Sequence, residues 1–146
     1  MHIKPDTSWP KLSGRRPGVA AAEMALLLPV LTVLLVLGVD FARVFYYYVA
    51  VTNCARNGAL YAADPLAPTQ SRYASLTAAA QADWPSGVTP LPTVSGPTTG
   101  TDGQGNSYVE VTVTWQFNTI SSYLGASGNV SLTRTARMRV APLTPS

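Results

Sequence analysis

The chain has 146 residues, a length that suits one domain rather than two. Only 12% of the residues are charged and 47% are hydrophobic, which indicates either an unusually large core or a membrane segment. The net charge of +3 is confined to the first 18 residues, and the remainder is neutral. We therefore predict no nucleic-acid-binding face. A single Cys and a single His exclude a disulfide framework and a zinc cluster.

A long apolar run follows the basic N-terminal tail. Residues 24–39 carry no charge, and the run extends back to Val19 with Glu23 as its only interruption. A helix over residues 19–39 is roughly 31 Å long, which matches the hydrocarbon core of a bilayer. The basic residues precede the run and Asp40 follows it directly. The positive-inside rule thus predicts a single-pass membrane protein with a cytoplasmic N-terminus and a C-terminal part on the opposite side of the membrane.

Two other interpretations of the apolar run are weaker. A buried helix of a soluble domain would need more surrounding chain than this protein has. A secretory signal peptide has an apolar region of about 7–15 residues followed by a small-residue cleavage site. Here the run is longer, and residues 39–43 are bulky and charged.

Glu23 is a carboxylate within an apolar run, where an unpaired charge costs about 3 kcal/mol. Gly18 lies five residues earlier, so cleavage after Gly18 would make Val19 the first mature residue and Glu23 the fifth. The new α-ammonium group of Val19 is poorly placed for Glu23 of its own helix. It is well placed for Glu23 of a neighbouring subunit shifted along the bilayer normal. We therefore predict that Glu23 aligns helices during assembly.

The segment that begins at Arg15 resembles a known family. The sequence RRPGVAAAEMALLLPVL is similar to the class III signal peptide of type IV prepilins, in which the leader ends in Gly and the fifth mature residue is Glu. Up to about Ala63, the chain resembles the TadE-like family of pseudopilins and minor pilins of the tight-adherence (Tad/Flp) pilus. The matching elements are Gly18, Glu23, Pro29, Phe41-x-Arg43, Ala55-Arg56-x-Gly58 and Tyr61-Ala62-Ala63.

The resemblance implies a structural, non-catalytic role as a pseudopilin or minor pilin in pilus assembly. It implies processing by a membrane-embedded prepilin peptidase, and contact with other pilins and pseudopilins through the N-terminal helix. It also implies that the membrane is the bacterial inner membrane and that the C-terminal part is periplasmic. The alternative is an unprocessed bitopic protein that binds or scaffolds partners in the periplasm. Entry into the filament and a role limited to priming its assembly both stay open.

We divide the chain into a cleaved leader (residues 1–18), a membrane and extended helix (residues 19–63) and a periplasmic α+β head (residues 64–146). The expected fold is a pilin-like lollipop, in which the long helix packs against a small antiparallel sheet. Asp64-Pro65 is the first helix breaker after the apolar run. One stripe of the extended helix is predicted to face the sheet; its members are Phe41, Phe45, Tyr48, Thr52, Ala55, Ala59 and Ala62.

Three small or aromatic features of the extended helix carry further expectations. Gly58 costs about 1 kcal/mol in a helix, which indicates a close packing contact. Cys54 is expected to be a small buried side chain, with an intersubunit disulfide as the minority alternative. Residues 46–48 are three tyrosines that suit either an aromatic belt at the membrane interface or a cluster packed under the head.

In the head, the alternation of residues 108–117 predicts a strand, and residues 130–140 predict its antiparallel partner. A helical turn is expected between them, a short helix over residues 71–83, and an edge strand over residues 88–94. Arg134 falls on the apolar side of its strand and is a candidate partner for Asp40 or Asp64.

No pattern in the chain predicts catalysis, and we expect no cofactor and no metal site. The only histidine, His2, lies in the predicted leader, so no histidine-based acid–base pair remains after processing. The glycine-rich stretch of residues 100–105 lacks the Lys of a phosphate-binding loop. A resemblance of the Asp102 loop to a calcium loop fails at the closing Glu.

Overall fold

The computed structural model of the protein describes residues 17–125 and 128–141. A long N-terminal helix and a three-stranded antiparallel sheet confirm the predicted α+β fold class. The described residues fall into two compact units, which divide between Leu35 and Val36. The elements are α1 (Pro17–Ala63), α2 (Ala67–Gln70), α3 (Leu76–Gln81), β1 (Thr93–Thr101), β2 (Ser107–Asn118), a 3₁₀ helix (Ile120–Leu124) and β3 (Asn129–Arg139).

The described part of the first unit is the N-terminal portion of α1. Its large apolar side chains are exposed rather than packed in a core, including Leu26, which is 77% exposed. Thr32 is a polar side chain in this stretch, and its hydroxyl donates a hydrogen bond to the carbonyl of Leu28 at 2.8 Å. This bond satisfies the hydroxyl within the helix, as an apolar solvent requires.

In the second unit, β2 is the central strand of the sheet, between β1 and β3. Its alternation confirms the prediction, because one face of the strand is buried throughout while the other is partly or fully exposed. The buried residues are Val109, Val111, Val113, Trp115 and Phe117. β3 pairs with β2 in antiparallel register from Tyr108–Arg139 to Asn118–Asn129, also as predicted.

The opposite face of the β2–β3 pair is polar. Cross-strand pairs connect hydroxyl groups at Thr112–Thr135 (2.7 Å) and Thr114–Thr133 (3.1 Å). Arg137 forms an ion pair with Glu110, with Nε and Oε1 2.6 Å apart. Such pairs stabilise a sheet modestly and keep this face suited to water. The sheet therefore has only one face that needs an apolar cover.

Helix α1 provides part of that cover, and its buried face differs in part from the predicted stripe. Ala55 and Ala59 are buried as predicted, whereas Phe41 and Phe45 are 75% and 62% exposed. The half-buried Tyr47, rather than Tyr48, packs against the core, and the buried face continues through Val51, Cys54 and Gly58. The N-terminal part of the predicted stripe was wrong by one position. Apolar residues spaced by four and three positions occur on two adjacent faces of this helix, so the spacing alone does not distinguish them.

Gly58 lies where α1 comes closest to the sheet, as predicted. A Cβ atom built on Gly58 would lie 2.9 Å from Cγ1 of Val111 and 3.2 Å from Cβ of Ala80. Real Cβ atoms do not approach a rigid neighbour this closely. The glycine thus allows α1, β2 and α3 to meet at one point.

An aromatic cluster closes the core beside this contact. The ring of Tyr47 lies 4.6 Å from that of Trp115 and 5.7 Å from that of Phe117, and Trp84 lies 4.9 Å from Trp115. Both indole N–H groups donate to the loop before β1, Trp84 to the carbonyl of Val88 and Trp115 to that of Pro90. The cluster therefore holds the proline-rich loop against the core, since each buried indole N–H needs an acceptor.

Two predicted elements of the head lie elsewhere. The short helix α3 begins at Leu76 rather than near Ser71, because the Ser75 side chain accepts a hydrogen bond from the Ala78 N–H and caps it. The edge strand β1 covers Thr93–Thr101 instead of residues 88–94.

The position of β1 depends on an irregularity at Gly96 and Pro97. The β1–β2 register shifts between Ser95 and Thr98, so the proline falls in a bulge instead of occupying a ladder position. Gly96 has a φ of 112°, and a Cβ atom there would lie 2.8 Å from the carbonyl oxygen of Glu110. Glycine alone fits this backbone conformation beside β2.

Gly58→Val is expected to lower the free energy of unfolding by about 2–3 kcal/mol, because the new side chain overlaps Val111 and Ala80. The measurement is denaturant unfolding of the detergent-solubilised protein. Gly38→Val is the matched control, since a Cβ atom at this helical glycine has no neighbour within 4 Å. Equal stability of the two variants would contradict the close contact.

Candidate functional site

The three residues predicted to govern processing and assembly lie together at the start of α1. Pro17 is the first residue of the helix, a position that suits proline because its missing N–H would have no helical partner. Gly18, Val19 and Glu23 are all exposed, and a Cβ atom at Gly18 would meet no atom of the described residues within 4 Å. Residues 1–16 of the predicted leader lie outside the described residues, so cleavage after Gly18 stays a prediction.

The same helix is the candidate membrane anchor. Among the described residues, Gly18–Ala63 is the one helix long and apolar enough to span a bilayer, with a mean hydropathy of 2.4 over its most apolar 18 residues. Only 6% of that stretch is buried, which differs from the core helix of a soluble protein. The helix indicates single-pass membrane anchoring.

Asp40, the first charged residue after the apolar run, binds a distant segment of the chain. The side chain is buried, and its two oxygens accept hydrogen bonds from the backbone N–H groups of Ile120 at 2.8 Å and Ser121 at 2.7 Å. Arg43, one turn along α1, donates to the same carboxylate at 3.1 Å. The first N–H groups of a helical segment have no partner within the helix, so a carboxylate there satisfies them and is itself stabilised. Asp40 therefore fastens the 3₁₀ helix to α1.

We did not predict this role of Asp40 from the sequence. The prediction that Arg134 pairs with Asp40 or Asp64 was wrong. The guanidinium carbon of Arg134 lies 3.9 Å from the centre of the Tyr48 ring, in a cation–π contact. Asp40 is occupied by the 3₁₀ helix, and Asp64 accepts from the N–H of Leu66 in the turn after α1.

The three tyrosines of residues 46–48 do not share one environment. Tyr47 packs in the aromatic core beneath the sheet, while Tyr46 is 57% exposed. Tyr48 is 37% exposed and lies under the Arg134 side chain. Cys54 is fully buried with a free thiol, in agreement with the prediction of a small packed side chain.

The described residues contain no group of three or more His, Cys, Asp or Glu side chains that could hold a metal ion. The carboxylate of Asp102 instead accepts hydrogen bonds from the backbone N–H groups of Gln104 and Asn106 and from the Asn106 amide. These hydrogen bonds lower the pKa of Asp102 below its ordinary value, and the bond from the Asn106 backbone has the largest effect. Asp102 thus closes the β1–β2 turn.

Comparison with known families adds one finding to this geometry. The family model described as TadE-like protein matches residues 18–60. Over this segment, the chain is similar to the TadE-like family. The match confirms the predicted resemblance, and it covers α1 from Gly18 almost to its end. No curated protein and no solved structure matches the chain.

The TadE-like family consists of structural components associated with the tight-adherence pilus, and the match is to this family. The match includes Gly18, Glu23, Asp40 and Gly58. Two of these residues have contacts that explain their place within the folded chain, namely Asp40 with the 3₁₀ helix and Gly58 with β2. Gly18 and Glu23 are exposed, so packing within the described chain does not explain them.

Asp40→Ala is expected to release the 3₁₀ helix from α1, because two backbone N–H groups lose their acceptor. Hydrogen exchange at the Ile120 and Ser121 amides should accelerate by about tenfold or more, while the Val113 amide should exchange as before. Asp64→Ala is the matched control, since it removes an exposed carboxylate from another turn. Unchanged exchange at Ile120 and Ser121 would contradict the anchoring role of Asp40.

Proposed function

We propose that the protein is a pseudopilin or minor pilin that takes part in assembly of a tight-adherence pilus and has no catalytic role. The observation that carries the proposal is the TadE-like match over residues 18–60, which starts at the residue after which a prepilin peptidase would cut. The candidate membrane helix supports it, because a pilin subunit awaits assembly in the membrane.

The proposal includes cleavage after Gly18 by a prepilin peptidase on the cytoplasmic side of the inner membrane. The head, residues 64–146, is then periplasmic, and the mature chain begins at Val19. Open space around Gly18 and its position near the helix end both favour access by a peptidase. The helix would have to unwind locally at Gly18, which glycine allows at low cost.

The proposal assigns Glu23 to pairing between subunits. In the described chain, Glu23 is exposed on α1 within an apolar surface. A carboxylate in low dielectric needs a counter-charge, and the α-ammonium group of a neighbour's Val19 is the group that cleavage creates. Pairing would fix the axial position of one helix relative to the next, and other pilins and pseudopilins are the proposed partners.

The processing step is tested by the N-terminal sequence and intact mass of the protein from its native membrane. We expect a chain that begins at Val19, and a chain that begins at Met1 in a strain without the peptidase. Gly18→Ala should accumulate uncut protein, because the peptidase must accommodate an added Cβ atom at the cleaved bond. A Met1 N-terminus in cells with active peptidase would refute the proposed cleavage.

The assembly step is tested by Glu23→Ala, which should be cleaved and inserted normally but should fail to join its pilin partners. An unpaired ammonium group in a fully buried site costs about 3–5 kcal/mol, so crosslinking to partners should fall to a small fraction of the unmodified level. Glu23→Asp should be intermediate, because its carboxylate is one methylene shorter.

Asp83→Ala serves as the control for Glu23→Ala, since it removes a carboxylate from the head and should not change crosslinking. Normal incorporation of a correctly cleaved Glu23→Ala would rule out the proposed pairing. Failure of cleavage in the same variant would instead assign Glu23 to peptidase recognition.

A further inference from the structure

The second compact unit has two distinct ends. At one end, Asp40 binds the 3₁₀ helix, next to the paired residues Asn118 and Asn129 of β2 and β3. At the other end, the Ala141 N–H donates to the carbonyl of Ala63, where α1 finishes. Along α1, these ends are separated by 23 residues, or about 35 Å. The apolar run enters this unit at the Asp40 end, because residues 24–39 directly precede Asp40.

Large apolar side chains are exposed near the Asp40 end of the unit. Phe41 is 75% exposed, Phe45 62% and Tyr46 57%, and Ile120 of the 3₁₀ helix is 39% exposed. The aromatic residues lie within the first six positions after Asp40. Aromatic side chains are enriched at the membrane–water interface, where a ring is favourable beside both apolar and polar groups.

A polar groove of about 490 Å³ lies at the same end. Its lining includes Arg43, Asn118, Thr119, Ser122 and Asn129, and the described lining residues contain one cation and no carboxylate. Arg43 is partly exposed, at 39% of its side chain, and only one of its nitrogens is bonded to Asp40 in the described contacts. Asp40 also accepts two backbone hydrogen bonds, so Arg43 is not its only source of neutralisation.

We propose that the Asp40 end of this unit lies on the phospholipid headgroup layer, with a lipid phosphate group bound in the Arg43 groove. Guanidinium groups bind phosphate through paired hydrogen bonds, and the neighbouring amides and hydroxyls supply further donors. The exposed aromatic side chains then occupy the interface around the groove. The positive charge of Arg43 complements a lipid phosphate, and the apolar run directly precedes this end of the unit. These two observations favour lipid as the occupant of the groove.

This inference rests on the membrane-spanning placement of α1, which the proposed pilus function shares, but on neither cleavage nor Glu23. It assigns the head a fixed position at the membrane surface before any assembly begins. The hydrogen bonds of Asp40 also hold the 3₁₀ helix and the groove at the level where the apolar run ends.

The position is tested with the full chain reconstituted at one copy per lipid nanodisc containing phosphatidylglycerol. In a Cys54→Ala background, a fluorophore is attached at Asn118→Cys or, as control, at Gly103→Cys in the turn at the other end of the unit. Lipids with a nitroxide on the headgroup should quench the probe at position 118 several-fold more than the probe at 103. Equal and weak quenching would overturn the proposal.

Recovery of the chain in the nanodiscs separates this inference from the proposed function. A chain that does not insert would overturn both, because both require α1 to span the bilayer. A chain that inserts but shows no selective quenching at position 118 would overturn only the headgroup contact. In vesicles that hold many copies, exclusion of the quencher together with crosslinking of Phe45→Cys between copies would likewise overturn it, by showing that a second copy of the chain covers the surface.

The role of Arg43 is tested with the same probe at position 118. Arg43→Gln should reduce quenching by about twofold or more, whereas Arg43→Lys should retain part of it, because an ammonium group keeps the positive charge but loses the paired hydrogen bonds of a guanidinium group. Arg56→Gln is the matched control, because it removes the same charge from an exposed position 13 residues farther along α1. Identical quenching in Arg43→Gln and Arg56→Gln would overturn the assignment of the groove.

Discussion

The sheet has a single apolar face, and the fold of residues 36–146 depends on how that face is covered. Its outer face is occupied by threonine pairs and an ion pair, so all of the hydrophobic burial must occur on the inner face of β2. The inner face meets α1 through small residues, with Gly58 at the point of closest approach. Larger residues on α1 would separate the layers and leave voids, which cost free energy in proportion to their volume.

Because α1 covers the sheet with one face only, its other face remains available. Val51, Cys54 and Ala55 are buried, while Phe45 and Val49 on the same stretch of helix are exposed. This division explains why residues 44–51 of α1 are aliphatic or aromatic on all sides. A helix that packs on a sheet needs one apolar stripe, and a helix that also meets lipid or neighbouring helices needs a second.

The strongest sequence signals belong to elements whose environment is uniform along their length. From Tyr108 to Asn118, β2 alternates because one face is buried and the other is polar, and residues 24–39 of the candidate membrane helix carry no charge. β1 gave no such signal, because it is an edge strand that is mostly exposed and that contains a bulge at Gly96 and Pro97. The start of α3 was ambiguous because both Ser71 and Ser75 can cap a helix, and only tertiary packing selects between them.

The residues of the candidate site also differ in whether the sequence alone predicts their roles. Gly18 and Glu23 are recognisable from a local motif, since their proposed roles depend on spacing along the chain rather than on the fold. The role of Asp40 depends on N–H groups 80 and 81 residues away, and the sequence contains no local mark of such a contact. The groove at Arg43 likewise exists only because the β2–β3 connection returns to α1.

The two carboxylates that flank the apolar run illustrate what burial alone can explain. Asp40 is 5% exposed, and three donors from its own chain satisfy it, so folding accounts for its presence. Glu23 is exposed on an apolar helix, where folding of the described residues gains nothing from a charge. A carboxylate placed at the edge of the hydrocarbon layer raises the free energy of the isolated chain, and the proposed pairing with a second subunit would offset that cost. That asymmetry is the physical reason to look for the function of this protein at the start of α1 rather than in the head.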